Sequence, residues 1–273
     1  MHRNNIFPNF LLIGISFLII FFLVCIPVSI IFLNALREGF GIFFQKVTNS
    51  DTISAIQLNL TIALFTIPFN LITGIILSIC IARFDFFGKS FWNTLIDLPF
   101  SVSPIVSGLT FLLIFGRKGF AGNILNDMNI QILFALPGML LATAFVSFPF
   151  VAREVLPVLQ SSGEEEEEAA FTLGAGFFTI FFKITLPKIK WGLIYGVVLC
   201  NARIMGEFGA ISMVSGHITG LTDTLPLRIE KLYTEYDTIG AFSVSLILLV
   251  FSLFSLLMKY IFEKKVIMEV DYK

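Results

Sequence analysis

Residues Glu168–Pro187 read EAAFTLGAGFFTIFFKITLP, and the fold can be read outward from them. Two small residues, Ala169 and Ala170, allow a helix to approach another surface closely. Gly174 permits a sharp change of direction between two short helices. Pro187 is expected to end the second of these and to redirect the chain. The stretch is amphiphilic and is preceded by five consecutive acids, Glu164–Glu168. For most of these acids the expectation is a solvated charge run. Ser162 followed by Glu165 also fits a capping box, so a helix is expected to start near Gly163.

On both sides of this segment the chain is apolar. Hydrophobic residues make up 56% of it and charged residues 14%, against about 25% charged in ordinary soluble domains. That excess rules out a water-soluble globule and a disordered chain. With a net charge of −1 there is no basic field to attract nucleic acid. Six stretches have the length and apolarity of a bilayer span: Phe10–Leu33, Leu58–Ala82, Trp92–Phe115, Ile130–Val151, Trp191–Val214 and Ile239–Leu257. The first is too long for the core of a signal peptide and lacks a small-residue cleavage pattern, so it is read as a retained span. Residues 1–57 would form that span and a first external loop. Residues 58–262 would form the transmembrane domain, with the 168–187 stretch inside a connecting segment at about 152–190. Residues 263–273 would be a tail.

Lys and Arg in the connections set the orientation. If the amino terminus is cytoplasmic, eleven fall inside, among them Arg3, Arg83, Arg153, Lys188 and Lys273. Six fall outside, among them Arg37, Lys46 and Arg117. The bias favours both termini inside. Cys25, Cys80 and Cys200 lie in apolar runs without CxxC spacing, and His2 and His217 lie far apart. Neither a metal site, a disulfide framework nor a cofactor is expected. The one Gly-Lys-Ser, at Gly88–Ser90, has Arg83 where a phosphate loop needs its first Gly, so no phosphate loop is expected in this chain.

Two polar features stand inside the apolar stretches. Asp97-Leu-Pro-Phe-Ser-Val-Ser-Pro104 carries a carboxylate, two serines and two prolines. It reads either as a simple kink or as a bent helix lining something polar. Arg203 and Glu207 would lie about 18 and 24 Å from an entry at Trp191 if the span were one helix. Ionisable groups at that depth mark a pathway or a paired site. Four residues apart, they would share a helix face, either as a structural ion pair or as part of an anion path or gate. Gly206, Gly209, Gly216 and Gly220 would permit close packing or a re-entrant bend there.

The spacing E-A-A, three residues, G, nine residues, I-x-L-P resembles the cytoplasmic signature of permease subunits of ATP-binding-cassette importers. The resemblance implies an all-α membrane fold of about six helices, the type I importer permease fold, with a short coupling helix between spans 4 and 5. It assigns ATPase coupling to Glu168, Ala169, Ala170, Gly174, Leu186 and Pro187. A narrower resemblance rests on Asn201–Ala210, on Val214-Ser215-Gly216-His217-Ile218, on Thr224–Leu227 and on Asp97–Pro104. These are similar to the sulfate/thiosulfate permease family, in particular the second (W-type) of that importer's two permease chains.

The implied function is half of an anion path in the bacterial inner membrane, with Arg203, Glu207, Ser215 and Asp97 along the path or its gate. The implied partners are an ATPase dimer, a second homologous permease chain (or a homodimer), an external sulfate-binding protein and membrane lipid. A molybdate or tungstate importer permease and a secondary anion transporter are the alternatives. An enzyme is disfavoured, since no HExxH, Ser/His/Asp set or suitably paired acids appear.

Overall fold

The computed structural model describes residues 6–271. Arg3 and Lys273, both used in the charge count, and His2 lie outside them. The described residues are helical, without strands. Helix α1 (Ile6–Ala35) leads through a turn to the short α2 (Phe40–Val47) and the long α3 (Ser50–Arg83). Three short helices follow, α4 (Lys89–Ile96), α5 (Leu98–Ser101) and α6 (Pro104–Phe115), and then α7 (Gly122–Asp127). The central helix α8 (Leu136–Ser161) runs into the 168–187 region, which holds α9 (Glu165–Thr172) and α10 (Phe177–Ile180). Helices α11 (Leu186–Met205), α12 (Gly209–Val214), α13 (Leu225–Thr234) and α14 (Thr238–Asp271) complete the chain.

Among the described residues, four helical stretches are long and apolar enough to cross a bilayer: Leu12–Ala35, Ser50–Arg83, Leu136–Ser161 and Thr238–Phe262. The expected single spans Trp92–Phe115 and Trp191–Val214 are each broken. In the first, Pro99 and Pro104 lack the N–H that would continue a helix, and the chain divides at Asp97 and again at Val102–Ser103. In the second, α11 stops at Met205 and α12 starts at Gly209. Glu207 therefore lies outside a regular helix, and its depth does not follow from helical rise. Helix α14 continues through the expected tail as far as Asp271.

The core is built around α8. Met139, Ala142, Val146, Val151, Val155 and Leu159 are buried against Ile62 and Ile75 of α3 and against Ile189, Leu193, Cys200 and Ile204 of α11. Helices α8 and α11 approach closely because Gly192 and Gly196 carry no side chain. A Cβ on Gly192 would sit 2.7 Å from the Glu154 carbonyl oxygen, and one on Gly196 would sit 2.9 Å from Val151 Cα. This is small-residue packing at four-residue spacing, the usual means of bringing helices together in lipid. Helix α1 stands apart: its side chains from Leu12 to Leu33 are exposed or only partly covered, and it packs mainly against α14.

The two ends of the bundle differ. At one end the start of α3 meets α13, with Arg228 Nη2 3.3 Å from Asp51 Oδ2. Lys46, just before α3, donates to Asp237, just before α14, at 2.6 Å. At the other end the last turn of α3, the end of α8 and α9 converge on Arg83, and Thr185, just before α11, joins them through Glu167. Helix α14 begins beside the Lys46–Asp237 contact, and α1 and α2 pack against it.

Candidate functional site

At the second end the chain forms an elbow. Helix α9 begins at Glu165, close to the expected start, but the expected capping box is absent. The Ser162 hydroxyl donates to the Leu159 carbonyl at 3.2 Å instead, closing the end of α8. Four acids in the first turn of α9 suit the positive end of the helix dipole without a side-chain cap. The helix ends in a Schellman motif: Ala175 N–H donates to Ala170 at 3.0 Å, and Gly174 N–H donates to Phe171 at 2.9 Å. Gly174 has φ +86°, the left-handed conformation this motif requires, which explains Gly at that position.

Glu168 and Ala169 are exposed and Ala170 is half-buried. Around the turn, Phe171, Leu173, Phe177, Phe178 and Phe182 are each more than half exposed. Helix α10 does not end at Pro187. It passes through a π-helical turn, Phe181–Thr185, straight into α11, and the Leu186 N–H reaches back to Phe181. The wider turn directly precedes Pro187, where an α-helical path would meet the proline ring. Leu186 packs on the core, and Pro187 sits exposed in the first turn of α11.

Glu165, Glu166 and Glu168 are exposed, as expected for most of the run, but Glu167 is drawn into contacts with the bundle. Arg83, the last residue of α3, donates from Nε to Glu167 Oε2 at 2.8 Å and from Nη2 to Oε1 at 3.3 Å. The same guanidinium donates to the Leu159 carbonyl at 2.9 Å and the Gly163 carbonyl at 2.8 Å. Thr185 Oγ1 donates to Glu167 Oε1 at 2.9 Å, and Lys188 Nζ lies 3.2 Å from Glu166 Oε2. No local spacing in the sequence links position 83 to position 167.

Of the four residues assigned to an anion path, the structure brings two together. Arg203 Nη2 lies 2.6 Å from Glu207 Oε2, an ion pair by distance although the N–H is not aligned as a hydrogen bond. Glu207 Oε1 accepts the Ala210 N–H at 2.8 Å, so the carboxylate caps α12 across the helix break. Glu207 is 1% exposed, whereas the Arg203 side chain is 29% exposed.

Asp97 lies elsewhere. Its Oδ1 accepts from Arg153 Nε at 2.6 Å, its Oδ2 meets Arg153 Nη2, and the same nitrogen donates to the Asn93 carbonyl at 2.9 Å. Ser215 is buried in the loop after α12, donating to the Thr222 carbonyl at 2.5 Å and accepting the His217 N–H at 3.1 Å. In this loop, burial pushes the Asp223 carboxyl above its ordinary range, against the pull of Lys231, Arg228 and His217.

Sequence reading also missed a buried polar seam inside the bundle. Asn59 of α3 donates to the Met205 carbonyl at 3.3 Å, and Asn70 donates to Ser147 Oγ of α8 at 2.8 Å and to Cys200 Sγ of α11 at 3.4 Å. Thr52, Asn59 and Thr66 recur at seven-residue spacing on the buried face of α3, a signal that was present in the sequence.

A bundle with helices of bilayer length, a polar seam inside it and an exposed elbow at one end is the form of a membrane transport subunit. The chain belongs to the family described as the binding-protein-dependent transport system inner membrane component, whose model matches residues 74–268. It is 46% identical over 248 residues to the sulfate transport system permease protein CysW of Escherichia coli K12, covering 91% of this chain and 85% of that one. It is 43% identical over 257 residues to CysW of Synechocystis, covering 94% and 93%. Against CysT of E. coli K12 the identity is 33% over 251 residues, covering 92% and 91%. The fold matches a chain of a bacterial ABC transporter involved in alginate import, with a TM-score of 0.74 at 20% identity, covering 93% and 96%.

Proposed function

We propose that this chain is a permease subunit of an ATP-driven sulfate/thiosulfate importer, forming half of the anion path and relying on a separate ATPase. Its relatives are named for sulfate transport, which favours this reading over molybdate or tungstate. E. coli K12 has both a CysW and a CysT, and this chain is nearer in identity to CysW. That supports a pairing with a second, homologous permease chain. An external sulfate-binding protein would deliver the anion at the end where α3 meets α13.

The observation that carries the reading is the elbow at Gly174. It presents five bulky apolar side chains flanked by acids, at the end of the bundle where the basic residues concentrate. An apolar surface of this kind marks a protein contact when it lies outside the lipid. An ATPase dimer would grip Glu168, Ala169, Ala170 and Gly174, with Leu186 and Pro187 fixing the return into α11. Both termini would then be cytoplasmic. Arg203 would meet the anion weakly, its charge balanced by Glu207, so that the anion is not trapped. Asp97 and Ser215 would hold the walls of the path in shape.

Cysteine placed at Ala169 tests the assignment. It is expected to cross-link to the ATPase in assembled complexes, and cells lacking the chain are expected to lose uptake of radiolabelled sulfate. A working complex in which position 169 never captures the ATPase would overturn the reading.

A further inference from the structure

Helix α9 buries none of its residues, so apolar packing does not hold it to the bundle. Its own packing is mainly on α10 and the π-helical turn. What ties it to the long helices is a set of polar contacts, most of them centred on Arg83, with Lys188 of α11 also 3.2 Å from Glu166. One guanidinium makes two bonds to Glu167 in α9, one to the Leu159 carbonyl in α8 and one to the Gly163 carbonyl between α8 and α9. The side chains of Arg83 and Glu167 are only 11% and 15% exposed. Glu167 takes a further bond from Thr185 at the entrance to α11.

A planar fork with several fixed donors is the side chain best suited to hold three segments in one geometry. A flexible α9 would absorb a push from outside. A clamped α9 passes the push to α3, α8 and α11 as a rigid body.

We propose that Arg83 is a positioning residue of energy coupling: through Glu167 it fixes α9 to α3 and α8, so that displacement of the elbow moves those helices. The proposal rests on the permease reading above and adds the element that makes the elbow rigid with the bundle. It does not require Arg83 to touch the ATPase or the anion.

The test uses the complete transporter in proteoliposomes, reading ATP hydrolysis and radiolabelled sulfate uptake together. For Arg83→Ala, ATP hydrolysis is expected to continue while sulfate moved per ATP falls at least tenfold. Glu167→Gln, which keeps the shape and the Thr185 contact, is expected to lower the ratio less. The combination Arg83→Glu with Glu167→Arg is expected to recover part of what Arg83→Glu alone loses. Hydrogen exchange at the amides of 165–172 is expected to quicken in Arg83→Ala, a readout independent of transport.

An unchanged ratio in assembled Arg83→Ala overturns the proposal. So does failure of both Arg83→Ala and Glu167→Gln to assemble, since the contact would then serve assembly alone. If the wild-type complex itself moves no sulfate on ATP, the permease reading fails instead, and the exchange measurement still decides whether Arg83 holds α9.

Discussion

Arg153 grips the carboxylate of Asp97 with Nε and Nη2 while also donating to the Asn93 carbonyl, so the break between α4 and α5 is locked to α8. The forked geometry makes Arg-to-Lys a disruptive change here. Both side chains are partly exposed, so the contact contributes about 1 kcal/mol. Arg153→Lys and Asp97→Asn are each expected to lower the melting temperature in detergent by a few degrees. The double variant is expected to lose less than the sum, because the two losses describe one contact. Strict additivity would show that the pair does not interact.

The Arg203–Glu207 pair behaves asymmetrically under substitution. Arg203→Ala leaves a buried carboxylate without its cation, at about 3–5 kcal/mol. Glu207→Gln keeps an acceptor for the Ala210 N–H and leaves the better-exposed Arg203 uncompensated. Arg203→Ala is therefore expected to reduce assembled protein. Glu207→Gln is expected to assemble and to slow sulfate uptake by holding the anion longer. Normal uptake and normal assembly in both variants would remove the pair from the mechanism.

Packing between α8 and α11 depends on two absent side chains. Gly196→Leu places atoms where the Val151 backbone already lies, and Gly192→Val does the same at the Glu154 carbonyl. Overpacking of this kind costs about 1–3 kcal/mol. Thermal unfolding of the detergent-solubilised complex is the measurement. Gly14→Leu, on the unpacked face of α1, is the control expected to leave the melting temperature unchanged.

The Lys46–Asp237 contact gives a pH dependence with a definite sign. Burial alone would raise the Asp237 carboxyl. The hydrogen bond from Lys46, the Gly240 N–H and the charges of Lys46 and Arg228 outweigh it and hold the group below its ordinary 3.8. A carboxyl lowered in the folded state stabilises the protein above its unfolded value, and that stability is lost as pH falls through the folded value. The wild type is therefore expected to melt higher than Lys46→Met at about pH 7, by an amount worth about 1 kcal/mol or less. The difference is expected to shrink below about pH 4. A constant difference across that range would show that the contact is not ionic.

Much was legible in the chain because one physical requirement dominates it. Backbone polar groups in lipid must be satisfied within the chain, so long apolar stretches become helices. Outside the lipid, Gly174 after a short helix becomes a left-handed turn because it carries no Cβ. The sequence alone therefore determined the all-helical membrane class, the long spans α1, α3, α8 and α14, and the elbow at 168–187. It also pointed to a pairing of Arg203 with Glu207, although Glu207 meets Arg203 from beyond the end of α11 and not along the shared helix face that the spacing implied.

The tertiary structure decided everything that joins distant positions. It broke two expected spans, at Asp97 beside the prolines and at Gly206, where the buried Glu207 carboxylate accepts the Ala210 N–H of the restarted helix. It carried α10 through a π-turn into Pro187. It paired Asp97 with Arg153 and Arg83 with Glu167, which are 56 and 84 residues apart. Hydropathy and spacing report only what a residue and its near neighbours prefer. Which cation meets which carboxylate is set by how helices cross, and that follows from small contacts such as Gly196 against Val151.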